Sequence, residues 1–166
     1  YYAVLETRLG WFGVLATHIG IRRIVLPKGT AIDAVTGLGP QLDKAQLDQT
    51  RFRDLGTQID KYLNGALKSF TIPMDIDNYS PFFLRAWEAC SSIPFGETRS
   101  YRWLATHAGN ASALRAAGQA MARNPLPLLI PCHRVISSNG DLHGYVGGLD
   151  MKRHLLGLEW QVTSAI

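Results

Sequence analysis

The sequence predicts an α+β fold, in which a sheet-and-helix lobe precedes a mainly helical one. Three observations lead there. In the first 26 positions, apolar residues come in short runs broken by glycine. From about Leu47 they recur at helical spacing, and beyond Ser80 helix-start and helix-stop signals dominate. At 166 residues the chain has room for one core or two small lobes, and little more.

Taken in order, Tyr2, Val4 and Glu6 alternate as a strand does, and Leu9-Gly10 offers a turn. Phe12 to Ala16 forms a second strand. After a break near Gly20, Ile21 to Leu26 forms a third, ended by Pro27. The three read as an antiparallel meander. Residues 28–43 are rich in Gly, Thr, Asp and Pro and are expected to be a loop. Phe52, Leu55, Ile59 and Leu63 then share one helical face, with Asn64-Gly65 as the stop. Phe70 to Ile76 is a strand candidate, placed at an edge because Pro73 cannot donate to a ladder. Asp77 to Ser80 marks a boundary, giving domains 1–79 and 80–166.

The second domain opens on Ser80-Pro81, a capping hydroxyl followed by proline at the first helical position. Phe83, Ala86, Trp87 and Cys90 fall on one face, so Cys90 is expected in the core. Ile93-Pro94-Phe95-Gly96 ends that helix. Ser100 caps a second, closed by Gly109-Asn110, and a third runs from about Ser112 to Arg123. Two short helices joined by a tight turn, with Arg115 early in the second, fit a helix-turn-helix. Helix pairs that touch no DNA have the same pattern.

Composition narrows the function. The chain is 46% hydrophobic and 18% charged, which excludes a disordered segment. No apolar run reaches the roughly 18 residues that span a bilayer, and no leader-like segment opens the sequence. No membrane partner is expected. Two cysteines, Cys90 and Cys132, are too few for a disulfide framework and fit a reducing compartment, hence a cytoplasmic location, or nuclear in a eukaryote. The net charge of +4 is mild, but its distribution is uneven. No acidic residue occurs from Thr98 to Gly140, a span holding Arg99, Arg102, Arg115, Arg123 and Arg134. Such a span is either a solvated face or a surface that meets phosphate, for which the guanidinium fork is suited.

An apolar stretch, Leu126 to Ile130, leads into Pro131-Cys132-His133-Arg134-Val135. A cysteine after such a segment is commonly inert packing. Here His133 can take a proton from the thiol, Arg134 adds positive charge, and Glu159 can hold the imidazole. A nucleophilic cysteine needs such a set, because the thiolate and not the thiol attacks.

Asn124-Pro125-Leu126-Pro127 through Pro131-Cys132-His133-Arg134-Val135 resembles the active-site signature of the O6-alkylguanine-DNA alkyltransferases, single-turnover DNA repair proteins. Other blocks stand in the family's order: Ile93 to Tyr101 (IPFGETRSY), Arg115-Ala116-Ala117-Gly118, Gly144-Tyr145-Val146-Gly147-Gly148-Leu149, and Lys152 with Leu155 to Glu159. The likeness is close over about 80–160; the first half matches only as a layout. It implies an N-terminal ribonuclease-H-like domain with a three-stranded antiparallel sheet and helix.

The resemblance also implies a mechanism. A damaged guanine is flipped out of duplex DNA, and the alkyl group on O6 passes irreversibly to Cys132, once per molecule. O4-alkylthymine is the expected minor substrate. The activity is that of a methylated-DNA–[protein]-cysteine S-methyltransferase. His133 accepts the thiol proton through a water, Glu159 orients the imidazole, Tyr101 serves the leaving guanine near N3, and Asn124 braces the active-site turn. Pro127, Val135, Tyr145, Val146, Gly147 and Gly148 line the base pocket. Arg115 intrudes into the base stack from the minor groove. Ala113, Ala116, Ala117 and Gly118 allow close approach to a groove only ~6 Å wide, with Ser100 and Tyr101 also at the DNA surface. Val146 stands where relatives often have a small polar residue, and Leu114 and Gln119 are larger than many relatives carry.

The expected partner is double-stranded DNA containing O6-alkylguanine, bound by a protein that is monomeric in solution and able to cooperate on DNA. No cofactor is expected. No zinc is expected either, because the first half has no cysteine and one histidine, His18. The competing reading is a non-catalytic alkyltransferase-like protein that binds alkylated DNA and recruits other repair. Such proteins lack the cysteine that stands here as Cys132. A thiol hydrolase would leave the helix-turn-helix unexplained, and a plain regulator would leave the Cys132 segment unexplained.

Overall fold

The computed structural model describes residues 1–165, which form two compact units, one from Tyr1 to Asp75 and one from Ile76 onward. No helix among the described residues is long and apolar enough to cross a membrane.

The first unit holds the expected meander: β1 (Tyr2–Thr7), β2 (Gly10–Ala16) and β3 (Ile21–Lys28), antiparallel in the order β1-β2-β3. Its buried face includes Ala3, Phe12, Val14, Ile24 and Leu26. The helix α2 (Arg53–Leu63) buries Leu55, Ile59, Tyr62 and Leu63 as its periodicity requires, and stops at Asn64. Residues 28–43 are not simply a loop. They contain α1 (Ala31–Thr36) and a 3-10 helix, Gly39–Lys44. Thr30 caps α1, its hydroxyl accepting from Asp33 N at 3.1 Å and donating to the Asp33 carboxylate at 2.8 Å. A side chain on Gly13 would meet the Ala34 carbonyl oxygen at 2.3 Å, so glycine there lets α1 lie directly on the sheet. The expected strand at Phe70–Ile76 reduces to a single bridge, Ile21 with Met74. It consists of Ile21 N donating to Pro73 O and Asp75 N to Ile21 O, both at 2.8 Å.

The second unit begins with α3 (Pro81–Ser91), where Ser80 Oγ accepts from Phe83 N at 3.3 Å. Cys90 lies wholly in the core, as its helical phase predicts. The helix-turn-helix is α4 (Tyr101–His107) and α5 (Leu114–Ala122). Ser100 Oγ caps α4 by accepting from Trp103 N at 3.0 Å. The second helix starts at Leu114 and not at Ser112, because Ser112 is held in a turn by the Asn110 side chain. A buried hydrogen bond from Trp87 Nε1 to Ala120 O, 2.8 Å, ties α3 to α5. Two short parallel strands, β4 (Arg99–Ser100) and β5 (Val135–Ile136), and the helix α6 (Leu149–Ser164) complete the unit.

Candidate active site

The site is built on the tight turn between α5 and β5. Asn124 Nδ2 donates to Ile130 O and Asn124 Oδ1 accepts from Leu126 N, both at 2.9 Å, while Ile130 N donates to Leu126 O at the same distance. Between these bonds Leu128 has φ of 77°, a left-handed conformation that a leucine keeps only where its surroundings enforce it. The buried side chains of Leu126, Leu128, Leu129 and Ile130 anchor the turn in the core. Cys132 then opens a single 3-10 turn, Cys132–Arg134, which runs directly into β5. Pairing of Val135 with Arg99 and of Ile136 with Ser100 sets this turn against the start of α4, where Tyr101 stands.

Cys132 is almost completely enclosed. Burial pushes its thiol up to about 11, against opposing hydrogen bonds from Asn124 and Tyr145 and the positive charge of Lys152. The resting thiol is therefore protonated at neutral pH and needs a base to react. Cys90 is close enough for a charge on Cys132 to raise its thiol further, although burial is the larger cause. Burial also raises Tyr101, helped by the charge of a Cys132 thiolate, so its phenol stays a proton donor.

Glu159 is the hub. Its carboxylate is 1% exposed and receives His133 Nε2 at 2.8 Å, Arg134 Nη2 at 2.8 Å, Arg134 Nε at 3.0 and 3.1 Å, and Gly96 N at 3.1 Å. Burial alone would raise this carboxyl, but the hydrogen bonds and charges of His133 and Arg134 outweigh it and bring it down to about 2. An ionised carboxylate only accepts, so the His133 proton sits on Nε2 and the lone pair on Nδ1. Burial also depresses His133, overriding the pull of Glu159, so the imidazole is neutral and able to accept a proton. Arg134 Nη1 donates to Ile93 O at 2.7 Å, which with the Gly96 bond ties the 93–96 loop to the hub. Gly96 has φ of 84°, and a side chain there would strike Thr163 Oγ1 at 2.2 Å.

Lys152 is a buried cation whose role the sequence left unassigned. Its Nζ donates to Val135 O at 2.7 Å and to His143 O at 3.4 Å, holding β5 and the following loop. Burial lowers its pKa, and its charge opposes the rise at Cys132.

Above this floor lies a cleft of about 490 Å³, lined by Tyr101, Leu114, Gly118, Ala122, His143, Gly144, Tyr145 and Val146. Of the residues expected around a base, Tyr101, Tyr145 and Val146 line it. Pro127 and Val135 are buried, while Gly147 and Gly148 are exposed beyond it. Leu114, Ala122 and His143 join the wall without having been expected there. Arg115 is exposed near the start of α5, and Ala113, Ala116 and Gly118 keep accessible surface. Ala117 is completely buried, so its small side chain serves packing and has no surface to offer a groove. The arginines of the acid-free span also divide. Arg102, Arg115 and Arg123 are exposed, Arg99 pairs with Glu97 at 2.7 Å, and Arg134 is buried on Glu159. The span is thus not one uniform face.

Comparison with known proteins agrees with this architecture. Residues 81–161 match the model of the 6-O-methylguanine DNA methyltransferase DNA binding domain, and residues 1–76 that of its ribonuclease-like domain. The chain is 37% identical over 159 residues to the methylated-DNA–protein-cysteine methyltransferase of Methanosarcina acetivorans, covering 96% of this chain and 97% of that protein. The crystal structure of Mycobacterium tuberculosis O6-methylguanine methyltransferase matches with a TM-score of 0.84 at 32% identity, covering 97% of this chain and 93% of that one. The M. tuberculosis OGT in complex with DNA gives 0.85 at 31% identity, with the same coverage. Two family models that between them span nearly the whole chain, and a relative matched along almost its full length, place the protein: it belongs to the 6-O-methylguanine DNA methyltransferase family of DNA repair alkyltransferases.

Proposed function

We propose that the protein repairs O6-alkylguanine in duplex DNA by transferring the alkyl group to Cys132, once per molecule. The observation that carries this reading is the enclosed Cys132 thiol, followed directly in the chain by His133, whose Nε2 donates to the buried Glu159 carboxylate at 2.8 Å. The S–C bond forms as the C–O6 bond breaks. The thiol proton passes through a water to His133 Nδ1, and Glu159 steadies the imidazolium that results. Guanine departs carrying negative charge and is neutralised by a proton from the Tyr101 phenol on the cleft wall; solvent returns a proton to the phenolate as the His133 imidazolium gives one up. Lys152 supplies a positive charge to the thiolate as it develops. The thioether product has no route back, which makes the reaction stoichiometric.

DNA is the partner this site requires, and the DNA-bound M. tuberculosis relative supports it. The base must leave the stack to reach a thiol this deep, and flipping costs a few kcal/mol. In this reading Arg115, exposed near the start of α5, fills the gap, with α5 entering the minor groove over Ala113, Ala116 and Gly118. The test is to incubate the protein with duplex DNA bearing O6-methylguanine and measure its intact mass. A gain of one methyl, mapped to Cys132 and absent in Cys132→Ala, is expected. Retained binding without any mass gain overturns transfer in favour of a recognition module.

A further inference from the structure

Two histidine–tyrosine pairs stand at the cleft, one reaching it through Tyr145 alone and the other through both of its members. On the inner side the His133 ring meets Tyr145 nearly edge-on, with centroids 6.5 Å apart and planes at 78°. On the outer side the His143 ring meets Tyr101 at 6.1 Å and 90°. The inner pair belongs to the thiol. The outer one has no assigned task, and it touches the tyrosine given to the leaving group.

His143 sits in a segment with glycines at 140, 144, 147 and 148, which by itself would hold no fixed side-chain direction. Two contacts fix it. Its backbone oxygen accepts from buried Lys152, and its ring meets Tyr101 in an edge-to-face contact. The ring is exposed on the cleft side, so the contact with Tyr101 is what orders it. Tyr101 gains correspondingly. It is the first residue of α4 and only half-buried, so the side of its ring that faces the cleft is not braced by the core. A phenol that must meet a departing base within hydrogen-bond reach loses rate if its ring can swing.

We propose that His143 is a positioning residue for the transfer reaction, its imidazole holding the Tyr101 ring through their edge-to-face contact so that the phenol points at the leaving base. This rests on the reading of Tyr101 given above. An edge-to-face aromatic contact of this kind holds its partner strongly enough to change a rate about twofold to tenfold.

The experiment is a double-mutant cycle on the single-turnover rate of methyl transfer from O6-methylguanine duplex, with DNA affinity measured in parallel. His143→Ala is expected to slow transfer about twofold to tenfold with affinity within about twofold of the parent, and His143→Phe, which keeps an aromatic ring, to recover most of that loss. In the Tyr101→Phe background, where the hydroxyl is gone, His143→Ala is expected to cost almost nothing further. An equal loss in both backgrounds overturns the proposal, as does a His143→Phe variant as slow as His143→Ala. A Tyr101→Phe variant that transfers at the parent rate instead overturns the role of Tyr101, so the two failures are distinguishable.

Discussion

The two units treat buried polarity differently. In the first, Gln58 and Asp75 are the buried polar side chains, and each is tied to its own separate partners. Gln58 bonds Thr71 and Asp54, and Asp75 accepts from Thr17 at 2.7 Å and pairs with Arg22 at 3.3 Å, whose side chain is a quarter exposed. In the second unit Asn124, His133, Arg134, Lys152 and Glu159 are all buried around one thiol. Burying charge costs several kcal/mol per ion unless it is fully paired, and a fold that needed only stability would gain more from apolar residues there. On the function proposed here, the buried charge concentrated around Cys132 serves chemistry, whereas the scattered buried polarity of the first unit serves as fastening.

Removing the central carboxylate should break the contrast most sharply. Glu159→Gln leaves Arg134 buried without its counter-charge and is expected to destabilise the protein by about 3–5 kcal/mol and to abolish most transfer. Asp75→Asn, with its partner reaching solvent, should cost about 1 kcal/mol and leave the transfer rate unchanged. Urea unfolding with single-turnover assays on both variants checks this. Equal costs would remove the distinction between the units.

The acid limb of stability comes next. The folded values of Glu159, about 2, and of His133, below the ordinary histidine range, both lie under those of the unfolded chain. The native state therefore binds fewer protons, and stability is fully present near neutral pH. It should fall first as pH drops below the usual histidine value, then more steeply from the ordinary carboxylate range toward 2. In Glu159→Gln the lower, steeper part should flatten. Unfolding free energies between pH 2.5 and 7.5, the lower bound being about the least acidic point at which the limb is developed, decide it.

How much of this was legible in the sequence follows from where each signal resides. Caps are local, so Ser80 and Ser100 could be placed from neighbouring residues alone, and the Cys132 segment carried its chemistry in adjacent positions. The α1 helix was hidden because its one buried residue, Ala34, gives no periodicity and its Thr30–Asp33 cap lies among loop-forming residues. The Phe70–Ile76 segment looked like a strand, but Pro73 leaves too few donors for more than a bridge. Arg134 looked like part of a basic surface because nothing nearby in sequence reveals that Glu159, on another element, claims it. Ala117 and Lys152 were ambiguous for the same reason: burial is set by the partner helix, which a linear sequence does not display. His143 had no signal at all, since its contact with Tyr101 exists only after the loop folds back.

The smallest effect on stability, with a clear effect on repair, belongs to the exposed face of α5. Arg115→Ala should change unfolding free energy by less than about 0.5 kcal/mol, yet slow repair in duplex DNA on the order of tenfold to a hundredfold. In single-stranded DNA, where no base must be extruded, the loss should be much smaller. A duplex rate equal to the parent's would remove Arg115 from the insertion role and leave α5 as a docking surface only.

The central claim is that the charge buried in the second unit serves one irreversible transfer to one thiol. Titrating a fixed amount of protein with excess methylated duplex and counting methyl groups moved per chain tests it most directly. One methyl per chain, all on Cys132, with no further transfer on prolonged incubation, is the predicted result. Continued turnover, or a methyl found on any other residue in the presence of intact Cys132, would contradict it.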